Sequence, residues 1–306
     1  MMMKLFLAAV LSLAAAPALA AQVNAVASFS ILGDMVSRVG GDRVAVTTIV
    51  GPNADSHIYT PKPSDAAAVA GADIFFVNGL GFEGWMDRFV EATGYTGALV
   101  VASDGVAAHA MEEEHEDHDG HGEHEGHDHG ATDPHAWQSL LNGVLYVQNI
   151  ARGLCTVDAD GCATYTANAQ AYAAELTALD ATVREQLEAV PAERRKVITT
   201  HDAFGYFSDA YGVTFLAPEG ISTDAEPSAA DVARLIIQIK SEDVRALFIE
   251  NMSDPRLIQQ IADETGVTLG GELYADALSQ PDGPAPAYLD MFRHNVGLLI
   301  PAMEGN

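Results

Sequence analysis

Residues 25–51 read AVASFSILGDMVSRVGGDRVAVTTIVG, and their order decides the architecture. A β-rich apolar run over residues 22–28 passes into an amphipathic pattern over 31–39, which the Gly40-Gly41 pair ends. A second β-rich run follows over residues 44–50. Short, nearly continuous apolar strands with helices between them predict parallel sheet built from βα units.

The same alternation continues outward. Strands are expected at 73–78 and 98–102, with a helix at 84–93 and a short alanine-rich helix capped by Ser64 and running to Gly71. The second half repeats the scheme, with strands at 196–200, 214–217, 246–250 and 268–274. Helices at 204–211, 229–240, 255–265 and 287–303 accompany them, and a further helix at 137–154 closes the first half. The fold class is α/β, with two βα lobes on parallel sheets.

The longest helical pattern covers residues 164–190. Tyr165, Ala169, Tyr172, Leu176, Leu179, Val183 and Leu187 keep one face apolar, and Pro191 stops the pattern. Such a helix is about 40 Å long and suits a backbone between lobes. The expected division is a signal peptide at 1–20, an N-terminal lobe at 21–158, a linking helix at 159–190 and a C-terminal lobe at 191–306.

MMMKLFLAAVLSLAAAPALA has a lysine, an apolar run and a small-residue end, the form of a cleavable secretory signal. No cysteine stands near the cleavage point, so the expectation is a soluble periplasmic protein without a lipid anchor. A net charge of −28 argues against nucleic acid and anionic membranes as partners and suits a cationic one. In an oxidising compartment, Cys155 and Cys162 are expected to form a disulfide.

Between about 107 and 132 the composition changes to His, Glu, Asp and Gly. HEDHDGHGEHEGHDHG, residues 115–130, places His115, His118, His121, His124, His127 and His129 among acids and glycines. These side chains can bind metal, but a segment with so little to bury is expected to be mobile and unselective. It is read as an accessory metal-capture insertion, against the alternative of a solvated acidic loop with incidental affinity.

Four quieter residues stand where open parallel sheets collect ligands, after the carboxyl ends of strands. His57 follows the strand at 44–50, His135 lies in DPHAW, His201 ends VITTH, and Asp276 ends ELYAD. Two come from each lobe, so all four can meet in one cleft, and three imidazoles with a carboxylate make a plausible zinc shell. From position alone, each histidine also reads as an ordinary polar residue. His109 and His294 are read as non-ligands. Asp202 and Glu250 could hold an imidazole from behind, or be unrelated polar residues. Trp85 and Trp137 are read as packing residues.

GPNADSHIYTPKPSD, DPHAW, THDAFGYF and LYADALS, in that order, resemble the metal-binding (cluster A-I) lipoprotein-adhesin and zinc-uptake class of ABC-transporter solute-binding proteins. The resemblance covers nearly the whole chain after the signal. It implies two α/β lobes joined by a long, fairly rigid helix, with His57, His135, His201 and Asp276 as the metal ligands. The class serves zinc or manganese transport, and manganese members commonly carry a glutamate where His201 stands. Imidazole suits zinc, and carboxylate-rich shells suit manganese. The expectation is therefore a Zn2+-binding protein, a monomer, that delivers its ion to a membrane ABC permease, with the histidine tract capturing zinc or receiving it from a partner such as a periplasmic metallochaperone.

Two other readings remain at this stage. A zinc hydrolase is disfavoured because no HExxH, GxSxG or P-loop pattern occurs and a fourth protein ligand would close the position that catalysis needs. An adhesin or periplasmic zinc buffer would use the same fold without transport.

Overall fold

The strand–helix–strand unit at the start of the chain forms as its pattern predicts, with the first strand shifted by one residue and the helix one residue longer at each end. In the computed structural model, which describes residues 22–109 and 132–305 except 226, 243 and 245, β1 (Val23–Phe29) leads into α1 (Ser30–Gly40) and then β2 (Val44–Val50). β1 and β2 pair in parallel, from Val23 opposite Val44 to Phe29 opposite Val50.

α2 (Pro63–Ala70), β3 (Ile74–Val77), α3 (Met86–Thr93) and β4 (Ala98–Val101) complete the first sheet, ordered β2-β1-β3-β4. Ser64 does not cap α2. Pro63 takes the first helical position, where a missing N–H costs nothing, and the Asp65 carboxylate accepts the Lys62 N–H at 2.6 Å. The central strand β3 is buried along its whole length, as a strand covered on both faces must be.

α4 (Leu140–Val157) and α5 (Cys162–Glu188) follow, and the Cys155–Cys162 disulfide joins them. α5 packs on α1, where Asn168 donates to the Val39 carbonyl. It reaches the second half at α6 (Gly205–Tyr211), where the Tyr211 hydroxyl donates to Asp180 at 3.0 Å. Leu179, expected on the buried stripe, is only half-buried, and Asp180 occupies the stripe instead. The carboxylate is tolerated there because Arg184 and Tyr211 both bond to it.

The second sheet is built from β5 (Lys196–Ile198), β6 (Thr214–Leu216), β7 (Ala246–Glu250) and β8 (Thr268–Leu273), ordered β6-β5-β7-β8. α7 (Ala229–Ser241), α8 (Arg256–Thr265) and α9 (Tyr288–Glu304) pack around it. Both sheets are parallel, so the expected α/β class holds, and the second repeats the strand order of the first. β8 slips register opposite Leu247 and Phe248. Gly271 sits at that slip with φ +125°, a conformation that only glycine takes readily.

Candidate metal centre

Each lobe sends two loops from the carboxyl ends of its strands towards the other. The loop after β2 carries His57, and the segment after β4 carries His135 just before a single helical turn at Ala136–Gln138. His201 stands three residues past β5, and Asp276 three past β8. The four residues predicted from the sequence come together, with one donor atom of each within 4.8 Å of the others.

His57 Nε2 lies 3.2 Å from His135 Nε2 and 3.2 Å from Asp276 Oδ2. Asp276 Oδ2 is 3.1 Å from His201 Nε2, and Asp276 Oδ1 is 3.6 Å from His135 Nε2. Donors bound tetrahedrally at about 2.0–2.1 Å stand roughly 3.3 Å apart, so these separations match such a shell. His135, His201 and Asp276 are wholly buried. Even so, His201 Nε2 and both Asp276 oxygens make no hydrogen bond among the described residues. Buried polar atoms left unpaired are costly. Here they converge on one point, which a divalent cation would satisfy.

Two of the imidazoles are fixed from behind by carboxylates. Asp133 Oδ1 accepts from the His135 backbone N–H at 2.8 Å and pairs with Nδ1 at 2.7 Å. Glu250, at the end of β7, pairs with His201 Nδ1 and accepts from the backbone N–H groups of Thr200 and His201 at 2.9 and 3.1 Å. A proton held on Nδ1 leaves Nε2 as the donor atom and sets the plane of the ring. Glu250 therefore plays the supporting part considered for it. Asp202 does not, since it neighbours His201 without bonding to its ring. Asp133 is not among the residues singled out by position in the sequence, although an aspartate two residues before a histidine is a readable signal for a local turn of this kind.

His57 is held differently. Its backbone N–H donates to Asp55 Oδ1 at 2.8 Å, and its ring meets Phe82 edge-on at 4.8 Å. Phe82, Phe29 and Trp137 pack on one another behind His57 and His135. This apolar wall keeps water from competing for the donors.

The Asp276 loop is fastened to the first half. Trp137 Nε1 and Gln138 Nε2 both donate to the Ala275 carbonyl at 2.9 Å, and Asn53 donates to that of Leu278 at 3.0 Å. Burial alone would push the Asp276 carboxyl up, but the neighbouring His135 and His201 hold it well below the usual range. Burial alone would depress His201, yet Glu250 and Asp276 raise it well above the ordinary imidazole value. Both shifts favour a proton on His201, with which an entering cation competes.

The other singled-out residues lie elsewhere. His294 Nε2 is 2.9 Å from the Glu272 carbonyl oxygen, and His109 pairs with Asp209. Trp85 packs against Tyr59 and Phe89 and donates to the Ser56 carbonyl. The six tract histidines, from His115 to His129, fall outside the described residues.

The family model described as zinc-uptake complex component A, periplasmic, matches residues 25–302. The manganese-binding lipoprotein MntA of Halalkalibacterium halodurans is 34% identical over 91% of this chain and 88% of its own. The iron-binding protein YfeA of Yersinia pestis is 32% identical over 90% of this chain and 85% of its own. The structure of the periplasmic zinc-binding protein TroA from Treponema pallidum superposes with a TM-score of 0.83 at 28% identity, covering 92% of this chain and 99% of that one.

Proposed function

The chain belongs to the family of periplasmic component A proteins of zinc-uptake complexes, and from that premise and the donor chemistry of the cleft we propose that its cargo is Zn2+. As the substrate-binding component of a metal ABC transporter it is an extracytoplasmic binding protein and not an enzyme, and its implied partner is a membrane permease. The relatives' names include manganese and iron, so the choice of ion rests on this chain's own residues.

One observation carries the zinc reading. Three imidazole nitrogens and a single carboxylate converge on one buried point, with donor atoms at the separations of a tetrahedral shell. A nitrogen-rich set of four favours zinc over manganese, which prefers oxygen donors and higher coordination. His57, His135, His201 and Asp276 are the proposed ligands. The N-terminal lobe to residue 158 and the C-terminal lobe from 191 would form the two walls of the cleft, with the helix at 159–190 between them. We read the histidine tract as an accessory that captures zinc, directly or from a metallochaperone, and passes it to the cleft. The first twenty residues would be removed on export.

The test is a competitive titration of the signal-free chain beside a variant lacking residues 112–130. One tight zinc per chain should survive the deletion, resist excess manganese, and be lost in His57→Ala. Tight binding lost with the tract alone would move the site there, and manganese held as firmly as zinc would overturn the choice of ion.

A further inference from the structure

Three imidazoles reach the cleft, and only two of them have a carboxylate behind the ring. His57 bonds to Asp55 through its backbone N–H, and no hydrogen bond among the described residues reaches its Nδ1. A donor whose ring has no outer support can turn about its side-chain bonds, which loosens the shell. Three rings lie against His57: Phe82 at 4.8 Å, His135 at 5.3 Å and His201 at 5.7 Å. Two of these are themselves donors, so Phe82 is left to set the plane of the imidazole.

Phe82 is held firmly enough to do so. It is buried, with its ring 4.9 Å from that of Phe29 and 4.7 Å from that of Trp137. It lies in a tight loop, residues 78–83, at the carboxyl end of β3. Gly79, Leu80 and Gly81 there take φ of +86°, +56° and +81°. For leucine that conformation is unfavourable, and it persists only where the surroundings impose it. Glu83, buried beside Phe82, imposes it. Its Oε1 accepts from the Ser28 hydroxyl at 2.6 Å and the Asn78 N–H at 2.7 Å, and its Oε2 accepts from the Gly79 N–H at 3.4 Å. Ser28 belongs to β1, so one carboxylate ties the start and the end of the loop to the neighbouring strand.

We infer that Phe82 is the positioning residue of His57, an aromatic clamp where the other two histidines have carboxylates, and that Glu83 acts through it by fixing the loop. The ring meets the imidazole edge-on, at 77°, and resists its rotation by contact instead of by a hydrogen bond. His135, which Phe82 also touches at 5.9 Å, already has Asp133 and depends on this contact less. The inference rests on the reading of the cleft as the metal site.

The test uses the full chain with all six tract histidines changed to Asn, so that the cleft is observed alone. Zn2+ affinity is measured by chelator competition, and Co2+, whose visible absorption reports the geometry of its donors, is bound in its place. Phe82→Ala should weaken Zn2+ about 10–100-fold and alter the Co2+ spectrum. Phe82→Leu should do both to a smaller degree, and it serves alone if the alanine variant does not fold. Glu83→Gln should shift the spectrum in the same direction. Combined with Phe82→Ala it should add little, as expected of two residues acting in series. Phe75→Leu, a substitution in the same sheet at a buried ring that packs on Tyr95, should lower the melting temperature and leave the spectrum unchanged. Parent affinity and spectrum in the Phe82 variants would overturn the inference, as would an equal spectral change in Phe75→Leu. Binding that survives His57→Ala would overturn the cleft reading, and this inference with it.

Discussion

His135 and His201 do the same work from opposite halves of the molecule, but they are held by different means. The carboxylate behind His135 is Asp133, two residues upstream in the same loop. The carboxylate behind His201 is Glu250, 49 residues away at the end of another strand. The first clamp is a property of a short peptide turn, while the second exists only once β5 and β7 have paired. Orientation in the first half is therefore local, and in the second half it depends on the integrity of the sheet.

The largest effect should come from removing a donor. His201→Ala should weaken zinc binding beyond the roughly 10–100-fold that loss of a supporting carboxylate costs, as measured by chelator competition. Next come the clamps themselves. Glu250→Gln and Asp133→Asn should each cost about 10–100-fold in affinity. Glu250→Gln should also lower the melting temperature more, because Glu250 accepts two backbone N–H groups from Thr200 and His201. Equal thermal loss in the two variants would erase the contrast between local and long-range clamping. Asp202→Asn should leave the tight site within a few-fold of the parent.

Acidity acts on the donors of the second half. An ordinary imidazole would place the fall in affinity near pH 6.5. The structure moves it upward, because Glu250 and Asp276 stabilise the protonated form of His201. Zinc competes with that proton, so affinity should still be rising with pH above 7. For the metal-free protein the sign is reversed. The raised His201 contributes stability that is fully present below its unfolded value and lost as pH climbs through the folded one. The depressed Asp276 contributes stability present above its unfolded value and lost as pH falls through the folded one. Paired zinc titrations and melts from pH 5 to 9 should show the two slopes opposed. Affinity flat over that range would contradict the raised His201.

The smallest effect on binding should follow loss of the Cys155–Cys162 disulfide, which staples α4 to α5. Replacing both cysteines by serine should cost about 2.5 kcal/mol of stability in the chain-entropy model. It should leave zinc affinity unchanged, since the bridge fixes no donor.

Much of this was legible before folding, for a definite reason. Strand ends in parallel sheets point at ligands, so His57, His135, His201 and Asp276 could be picked out as loop residues after apolar runs. What stayed hidden depended on contacts remote in the chain. Glu250 looked no more tied to His201 than Asp202 did, because nothing in a linear sequence marks strands as neighbours. Apolar periodicity selects Leu179 over Asp180, because it cannot foresee that Arg184 and Tyr211 satisfy a carboxylate on the buried stripe. Ser64 has the side chain of a cap, but Pro63 has the stronger claim on the first helical position and sets the start of α2.

The chain has two tryptophans, and both are tied to loops that carry donors. Trp137 lies 5.3 Å from the His135 ring and bonds to the carbonyl just before Asp276, while Trp85 bonds to the carbonyl just before His57. The whole indole emission of the protein therefore originates beside the cleft. An ion seated among the donors touches the His135 ring on which Trp137 packs and the His57 loop to which Trp85 bonds. Loading should change the chain's own ultraviolet fluorescence, so cargo capture can be timed in a stopped-flow mixer without any attached dye.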